Sequence, residues 1–253
     1  MSLEKRMWAV GKPGVEDIKK SIENAGFVID QQKPEIVVVL GGDGSILRAS
    51  RDFPNSSLLP VIKESFGGLA DLRHSQFDYA LEKIRKGEYR IDEVLKVEVQ
   101  YKDFKTWGLN EVAVIRDDEQ CNRMKVFSDS KDLYEKELIG DGILACTASG
   151  STGYCYSAGG EVLERTERKF ETVPLYCNYM GNDVVNNRRV LTRITGGKVF
   201  PKGKEVIVSY DKKVRNKIVP DSIQKERRYF DFDIGDEIII RSSKENGRFV
   251  KLI

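Results

Sequence analysis

The chain has 253 residues, enough to bury a substantial core and to form two domains of ordinary size. Apolar residues make up 40% and charged residues 32%, and 42 Lys+Arg against 40 Asp+Glu leave a net charge of +2 with no basic arm or long single-sign run, which argues against a nucleic-acid partner. No apolar stretch reaches the roughly 18 residues of a membrane span, and MSLEKRMWAV lacks the apolar core of a signal peptide, so no membrane partner and a cytoplasmic location are expected.

In chain order, MWAVG is a short apolar run suited to a strand. VEDIKKSIENAGF places Val15, Ile18, Ile22 and Ala25 at helical spacing, with Gly26 where a C-terminal cap belongs. Residues 36–40, IVVVL, form an unbroken, mostly β-branched apolar run, the mark of a parallel strand covered on both faces. The run stops at GGDGS, after which SILRASRDF reads as a helix, SLLPVIK as a strand and SQFDYALEKIRKGEY as a helix ending near Gly87. This alternation predicts an α/β domain with an open parallel sheet over residues 1–94. From Val94 the texture changes to short, often alternating runs (VLKVEVQYKD, LNEVAVIRD, RMKVFSDSK, EVIVSYDKK, DEIIIRSSK) separated by turn residues, which predicts a mainly β domain over residues 95–253. Cys121, Cys146, Cys155 and Cys177 form no C-x-x-C pair and are expected to be small buried hydrophobes rather than zinc ligands or disulfides. His74 is the sole histidine, so a Ser–His or Cys–His catalytic pair would depend on it alone.

Three segments carry chemistry. The first is the glycine loop at 41–45, at the carboxyl end of a parallel strand and the start of a helix, where backbone N–H groups attract anions and missing Cβ atoms permit close approach. It matches neither G-x-x-x-x-G-K-[ST] nor G-x-G-x-x-G. Asp43 within it would repel a bound polyphosphate unless magnesium intervened or the carboxylate accepted a proton from an attacking hydroxyl; a structural Gly-Asp-Gly turn is the alternative. Arg48, one turn into the helix, is either a phosphate contact or a solvated helix arginine. The second segment is GDGILACTASGSTGYCYSAGG at 140–160, which crowds hydroxyls, small residues and an aromatic ring into residues 149–157. Such a loop can hydrogen-bond a base or ribose while a ring packs on the purine, although its composition also suits a solvated connection. The third is Asn110-Glu111 at the head of an apolar run: a glutamate can accept from both hydroxyls of a ribose diol, and the pair also suits a plain turn.

Together these segments resemble the NAD kinase family. GGDGS is similar to the family's GGDG-Thr loop, Asn110-Glu111 to its Asn-Glu pair, and residues 140–160 to its GDG…T-P-T-G-S-T-A-Y-S-x-S-A-G-G segment, in the same order. FGGLADL (66–72), VPLYCNYMGNDVVNNRRVL (173–191) and VSYDKK (208–213) carry weaker similarity. The resemblance implies an NAD kinase-like two-domain architecture. It also implies transfer of the terminal phosphoryl group of ATP, or of polyphosphate, to the 2′-hydroxyl of the adenosine ribose of NAD, giving NADP. Mg2+ or another divalent cation would come with ATP rather than on a fixed protein site. Carried over by position, Asp43 looks like the proton acceptor and, together with Gly44, an NAD contact, with Gly41, Gly42, Gly44 and Ser45 near phosphate. Asn110 and Glu111 look like ribose or phosphate-side contacts. Ser149, Thr152, Gly153, Tyr154, Cys155, Tyr156 and Ser157 look like the adenosine pocket, and Asp141 like a further NAD contact. Arg123 and Lys213 match binding positions loosely. The counterpart of Asp141 often serves a site shared between subunits, which implies a homo-oligomer, dimer or tetramer. The chain departs from the family pattern at Ser45 (usually Thr), Cys146 and Ala148 (usually Ser and Pro) and Gly153 (usually Ala). GGDG alone is shared with lipid kinases, but residues 149–157 offer no apolar channel for an acyl chain; a catalytically idle NAD-binding protein is the other rival.

Overall fold

Residues Ile36–Leu40 form a strand with all five side chains buried, as a parallel strand covered on both faces requires. The structure, a computed structural model, describes residues 5–63, 68–70, 72–179, 184–185, 188–189, 192–194 and 196–253. The 66–72 and 173–191 stretches singled out above lie partly outside the described residues. Among the described residues, β1 (Arg6–Gly11), β2 (Val28–Ile29), β3 (Ile36–Leu40), β4 (Ser57–Ile62), β5 (Leu72–Arg73), β6 (Tyr89–Val94) and the last strand, Gly247–Leu252, form one sheet. Its order is β2-β1-β3-β4, then Gly247–Leu252, then β6, with β5 also on β4. Every pairing is parallel except that of Gly247–Leu252 with β6. Residues up to Val94 together with Asn246–Ile253 therefore make one compact unit, and Leu95–Glu245 make the other.

Among the described residues three α-helices accompany this sheet: α1 (Val15–Asn24), α2 (Asp43–Asp52) and α3 (Phe77–Lys86). Ile18 and Ile22 of α1 and Phe77, Ala80, Leu81 and Ile84 of α3 join Met7, Ala9, Ile36, Val38 and Leu40 in one core cluster. Val37 and Val39 are equally buried and point to the opposite face by the two-residue period of a strand. There α2, returning from the glycine loop, packs on β3 and β4 and buries Ile46, Leu47 and Ala49. The helix expected from Ser45 begins two residues earlier, so Asp43 and Gly44 lie in its first turn. Pro60 sits inside β4 without a donor. The Val61 carbonyl accepts from Gly41 N–H on the β3 side, so Pro60 faces the other side, where Gly247–Leu252 pairs at Leu58 and β5 pairs from Val61 onward. The missing N–H falls in the gap between two partners, where proline is tolerated.

Among the described residues the second unit has two large antiparallel sheets and a two-stranded antiparallel pairing of Val184–Val185 with Arg188–Arg189, the mainly β architecture expected. Among the described residues, one large sheet runs Thr192–Arg193, Asn178–Tyr179, Leu138–Gly140, Asn122–Ser128, Glu205–Tyr210, Glu237–Ser242, Val97–Tyr101, Phe104–Gly108. The other runs Lys198–Pro201, Lys169–Leu175, Gly142–Thr147, Glu111–Arg116, Val214–Pro220, Arg228–Phe232. Val97, Val99, Met124, Val126 and Val208 from the first and Val112, Val114, Ile143, Ala145 and Phe170 from the second share one core, so the sheets pack face to face. Gly142–Thr147 is buried at every position because its alternate residues, Leu144 and Cys146, form a further cluster with Ala113, Val173, Leu175 and Cys155. Cys155 belongs to the loop that follows the strand, so that loop folds back over the outer face of the sheet. Cys146, Cys155 and Cys177 are buried as expected, whereas Cys121 is exposed because it lies in the turn leading to Asn122–Ser128.

Candidate functional site

In the first unit only Gly41 and Gly42 separate β3 from α2. Gly41 has φ +153°, and a Cβ there would lie 2.5 Å from Ser45 Oγ, so the position requires glycine. Gly42 caps α2 with its carbonyl, which accepts from the N–H groups of Ser45 and Ile46, and among the described residues no side chain caps this end. A helix end of this kind attracts anions through its first N–H groups. Asp43, partly exposed, is the first helical residue, and its carboxylate accepts from the N–H groups of Gly68 at 3.1 Å and Leu69 at 3.2 Å. Two backbone donors thus orient the Asp43 carboxylate. Gly44 is exposed with open space where a Cβ would be, and Arg48 is exposed. Sequence reasoning passed over two cations at this end of the sheet. Lys12 follows β1, with its Cγ 3.7 Å from the Cβ position of Gly41. Lys63 follows β4, and its Nζ donates to the Pro13 carbonyl at 3.4 Å. Both stand at the carboxyl ends of the strands flanking β3; a lysine immediately after each strand-like run was the available signal.

In the second unit Asn110 and Glu111 open the strand Glu111–Arg116. Thr147 N–H donates to the Asn110 carbonyl at 2.8 Å and Thr147 Oγ1 to the Leu109 carbonyl at 2.6 Å. Gly150 packs so closely that a Cβ would lie 2.3 Å from the Asn110 carbonyl oxygen. The Asn-Glu pair and the segment after Thr147 are therefore one surface. Asn110 Oδ1 and Ser149 Oγ on it are buried and lack any hydrogen-bond partner among the described residues. Buried polar atoms are nearly always satisfied, so two orphans in adjoining segments mark a place for a polar ligand. Beyond Gly150 the chain makes a wide turn over Ser151–Cys155, interrupted at Gly153 by non-helical backbone. Ser151 is buried, its hydroxyl donating to the Ala148 carbonyl and accepting from Leu163 N–H. Cys155 donates to Glu171 at 3.2 Å and Ser157 to the Gly153 carbonyl at 3.3 Å. Thr152, Gly153, Tyr154 and Tyr156 stay exposed, leaving two aromatic rings available on this loop.

Glu111 is 6% exposed. Burial first, then the charge of Asp221, push its carboxyl up to about 7, while the Ser222 hydroxyl, donating to Oε1 at 3.2 Å, acts the other way. Hydroxyl donors from a ligand would add to the Ser222 effect and favour the charged carboxylate. The Tyr154 hydroxyl is raised by burial and then by Tyr176, Glu111 and Asp141, so its ring lies in the field of carboxylates from both ends of the strand Gly142–Thr147. Asp141, about 20 Å along that strand from Thr147 by strand geometry, is paired with Arg116 at 2.7 Å. Arg123 pairs with Glu137 at 3.0 Å and Lys213 with Asp233 at 3.5 Å. Among the described residues no bond ties Arg123 or Lys213 to Asn110, Glu111 or the 149–157 loop. Asp221, unremarked in the sequence, is the further residue that acts on this surface.

Among the described residues no group of three or more His, Cys, Asp or Glu side chains could hold a metal ion. No helix of the described residues is long and apolar enough to cross a membrane.

Residues 109–252 match the family profile described as the ATP-NAD kinase C-terminal domain. The chain is 27% identical to an NAD kinase of Sulfurisphaera tokodaii over 248 residues, covering 92% of this chain and 88% of the relative. It is 26% identical to an NAD kinase of Carboxydothermus hydrogenoformans over 264 residues, covering 99% and 84%. The fold is similar to that of a yeast NADH kinase in complex with NADH (TM-score 0.76, 17% identity, 99% of this chain and 84% of that one). It is also similar to that of an NAD kinase from Archaeoglobus fulgidus in complex with ATP (TM-score 0.75, 23% identity, 98% and 94%).

Proposed function

The chain belongs to the ATP-NAD kinase family, and on that basis we propose that it phosphorylates the 2′-hydroxyl of the adenosine ribose of NAD at the expense of ATP, producing NADP. The observation that carries this reading is the pair of unsatisfied buried acceptors, Asn110 Oδ1 and Ser149 Oγ, beside the buried carboxylate of Glu111. A nucleoside offers the hydroxyl and amine donors such acceptors need. Glu111 and Asn110 take the ribose hydroxyls, and residues 149–157 take the base, with Tyr154 and Tyr156 supplying ring surface. Asp141 is a further NAD contact, and Arg123 and Lys213 are peripheral ones. Gly41, Gly42, Gly44, Ser45 and Arg48, with Lys12 and Lys63, receive donor phosphates at the N-terminus of α2.

Phosphoryl transfer relies on in-line positioning and charge neutralisation rather than covalent help from protein. The ribose oxygen forms a bond to the γ-phosphorus, the bond from that phosphorus to the bridging oxygen breaks, and ADP leaves. Asp43, held by Gly68 and Leu69, accepts the hydroxyl proton as the new bond forms. Magnesium carried on the ATP substrate would offset the charge of the phosphate oxygens. Polyphosphate is an alternative donor with the same chemistry. A homo-oligomer is proposed from the resemblance at Asp141, and the cytoplasm as the location. Calorimetric titration of Asn110→Ala and Ser149→Ala with NAD tests the reading: weakened NAD binding with ATP binding retained is expected, and wild-type NAD affinity in both would overturn it.

A further inference from the structure

Asp221 follows the strand Val214–Pro220 and is 3% exposed. Its carboxylate accepts three consecutive backbone N–H groups: Leu109 on Oδ2 at 3.0 Å, and Asn110 and Glu111 on Oδ1 at 2.8 and 3.3 Å. In return the Asp221 N–H donates to the Glu111 carbonyl at 2.8 Å. The turn that makes this possible carries two successive non-glycine residues at left-handed φ, Asp221 at 49° and Ser222 at 54°. Side chains disfavour that conformation, which persists where surroundings enforce it, commonly at functional sites. The same turn aims the Ser222 hydroxyl at Glu111 Oε1.

We propose that Asp221 is a positioning residue for the acceptor, clamping the backbone that presents Asn110 and Glu111 and setting the charge that Glu111 meets. The inference rests on the reading that Asn110 and Glu111 bind NAD. Charge-assisted bonds to backbone donors are strong, and a carboxylate oxygen shared between two neighbouring N–H groups fixes their spacing. Among the described residues four groups face Glu111: Asp221, the Cys146 thiol of the residue paired with it across the sheet, the Tyr154 hydroxyl and the Ser222 hydroxyl. Of these, Asp221 opposes ionisation of Glu111 and Ser222 favours it. An asparagine at 221 would accept with one oxygen, turn an NH2 toward N–H donors and remove the opposing charge, so Glu111 would ionise at lower pH.

The test is calorimetric NAD binding across pH for the wild type, Asp221→Asn and Asp221→Glu, with thermal melting to establish folding. Wild-type affinity should rise through about pH 7 as Glu111 ionises. Asp221→Asn should bind NAD about tenfold more weakly at high pH, the loss of roughly one charged hydrogen bond, with its affinity rise moved to lower pH. Asp221→Glu keeps the charge but displaces the carboxylate, so it should weaken binding and leave the rise in place. Folded Asp221→Asn with wild-type affinity and an unmoved rise overturns the proposal. Where Asp221→Asn does not fold, wild-type affinity in Asp221→Glu overturns it. A wild type that does not bind NAD at all overturns the underlying functional reading and this proposal with it, an outcome distinct from failure in the variants alone.

Discussion

The Thr147 N–H meets the Asn110 carbonyl at 2.8 Å, and that bond makes a strand end and a distant Asn-Glu pair into one surface. At Gly150 the backbone passes too close to Asn110 for any side chain.

Gly150→Ala should therefore damage acceptor binding selectively. The added Cβ would meet the Asn110 carbonyl oxygen at 2.3 Å, a backbone atom that no rotamer change can move. The expected cost is about 1–3 kcal/mol of stability with a raised KM for NAD and an unaltered KM for ATP. Denaturant unfolding and steady-state kinetics read both; equal effects on the two substrates would contradict the assignment.

Asp43→Asn should keep the fold and lose turnover. The amide oxygen can still accept from Gly68 or Leu69, but it cannot take the hydroxyl proton. A loss of about 10²- to 10⁴-fold in kcat is expected. Near-wild-type kcat in a variant with an unchanged circular dichroism spectrum would refute Asp43 as the base.

Glu111→Gln should exchange function for stability. The carboxyl is raised from 4.5 to about 7 in the folded protein, so folding favours its protonated form. That contribution is fully present below pH 4.5 and is lost as pH rises through about 7, leaving a buried charge that costs on the order of 3 kcal/mol. Glutamine carries no charge, so the variant should gain stability over the wild type between about pH 5 and about pH 8 while binding NAD more weakly. Urea unfolding at the two ends of that range measures the difference, and a pH-independent difference would rule out ionisation of Glu111 as its cause.

Lys12→Ala and Lys63→Ala should each raise the KM for ATP about two- to fivefold, the scale of an exposed ion pair, without altering the KM for NAD. A change confined to the KM for NAD would show that these lysines do not serve the donor.

The parts of the fold and site that can be read from the chain are those written locally. IVVVL, two glycines and an amphipathic run specify β3, the loop and α2, and hydroxyls crowded behind GILACT mark the 149–157 loop. The helix starts at Asp43 rather than Ser45 because glycine propensity counts for little in a first turn, where N–H groups need no helical partner and a carboxylate is favoured. Distant pairings are not written locally. Nothing in GRFVKL says that Gly247–Leu252 will join β4 and β6 rather than the β-rich unit that precedes it. Asp221 likewise shows its importance only once the fold brings it to Leu109, Asn110 and Glu111.

The most direct test of the proposed activity is to incubate the protein with NAD and magnesium-ATP and to measure NADP with an NADP-specific dehydrogenase. NADP accumulating with time and enzyme concentration, and absent without ATP, is the result expected; a folded protein that binds NAD but forms no NADP with ATP or polyphosphate would contradict it.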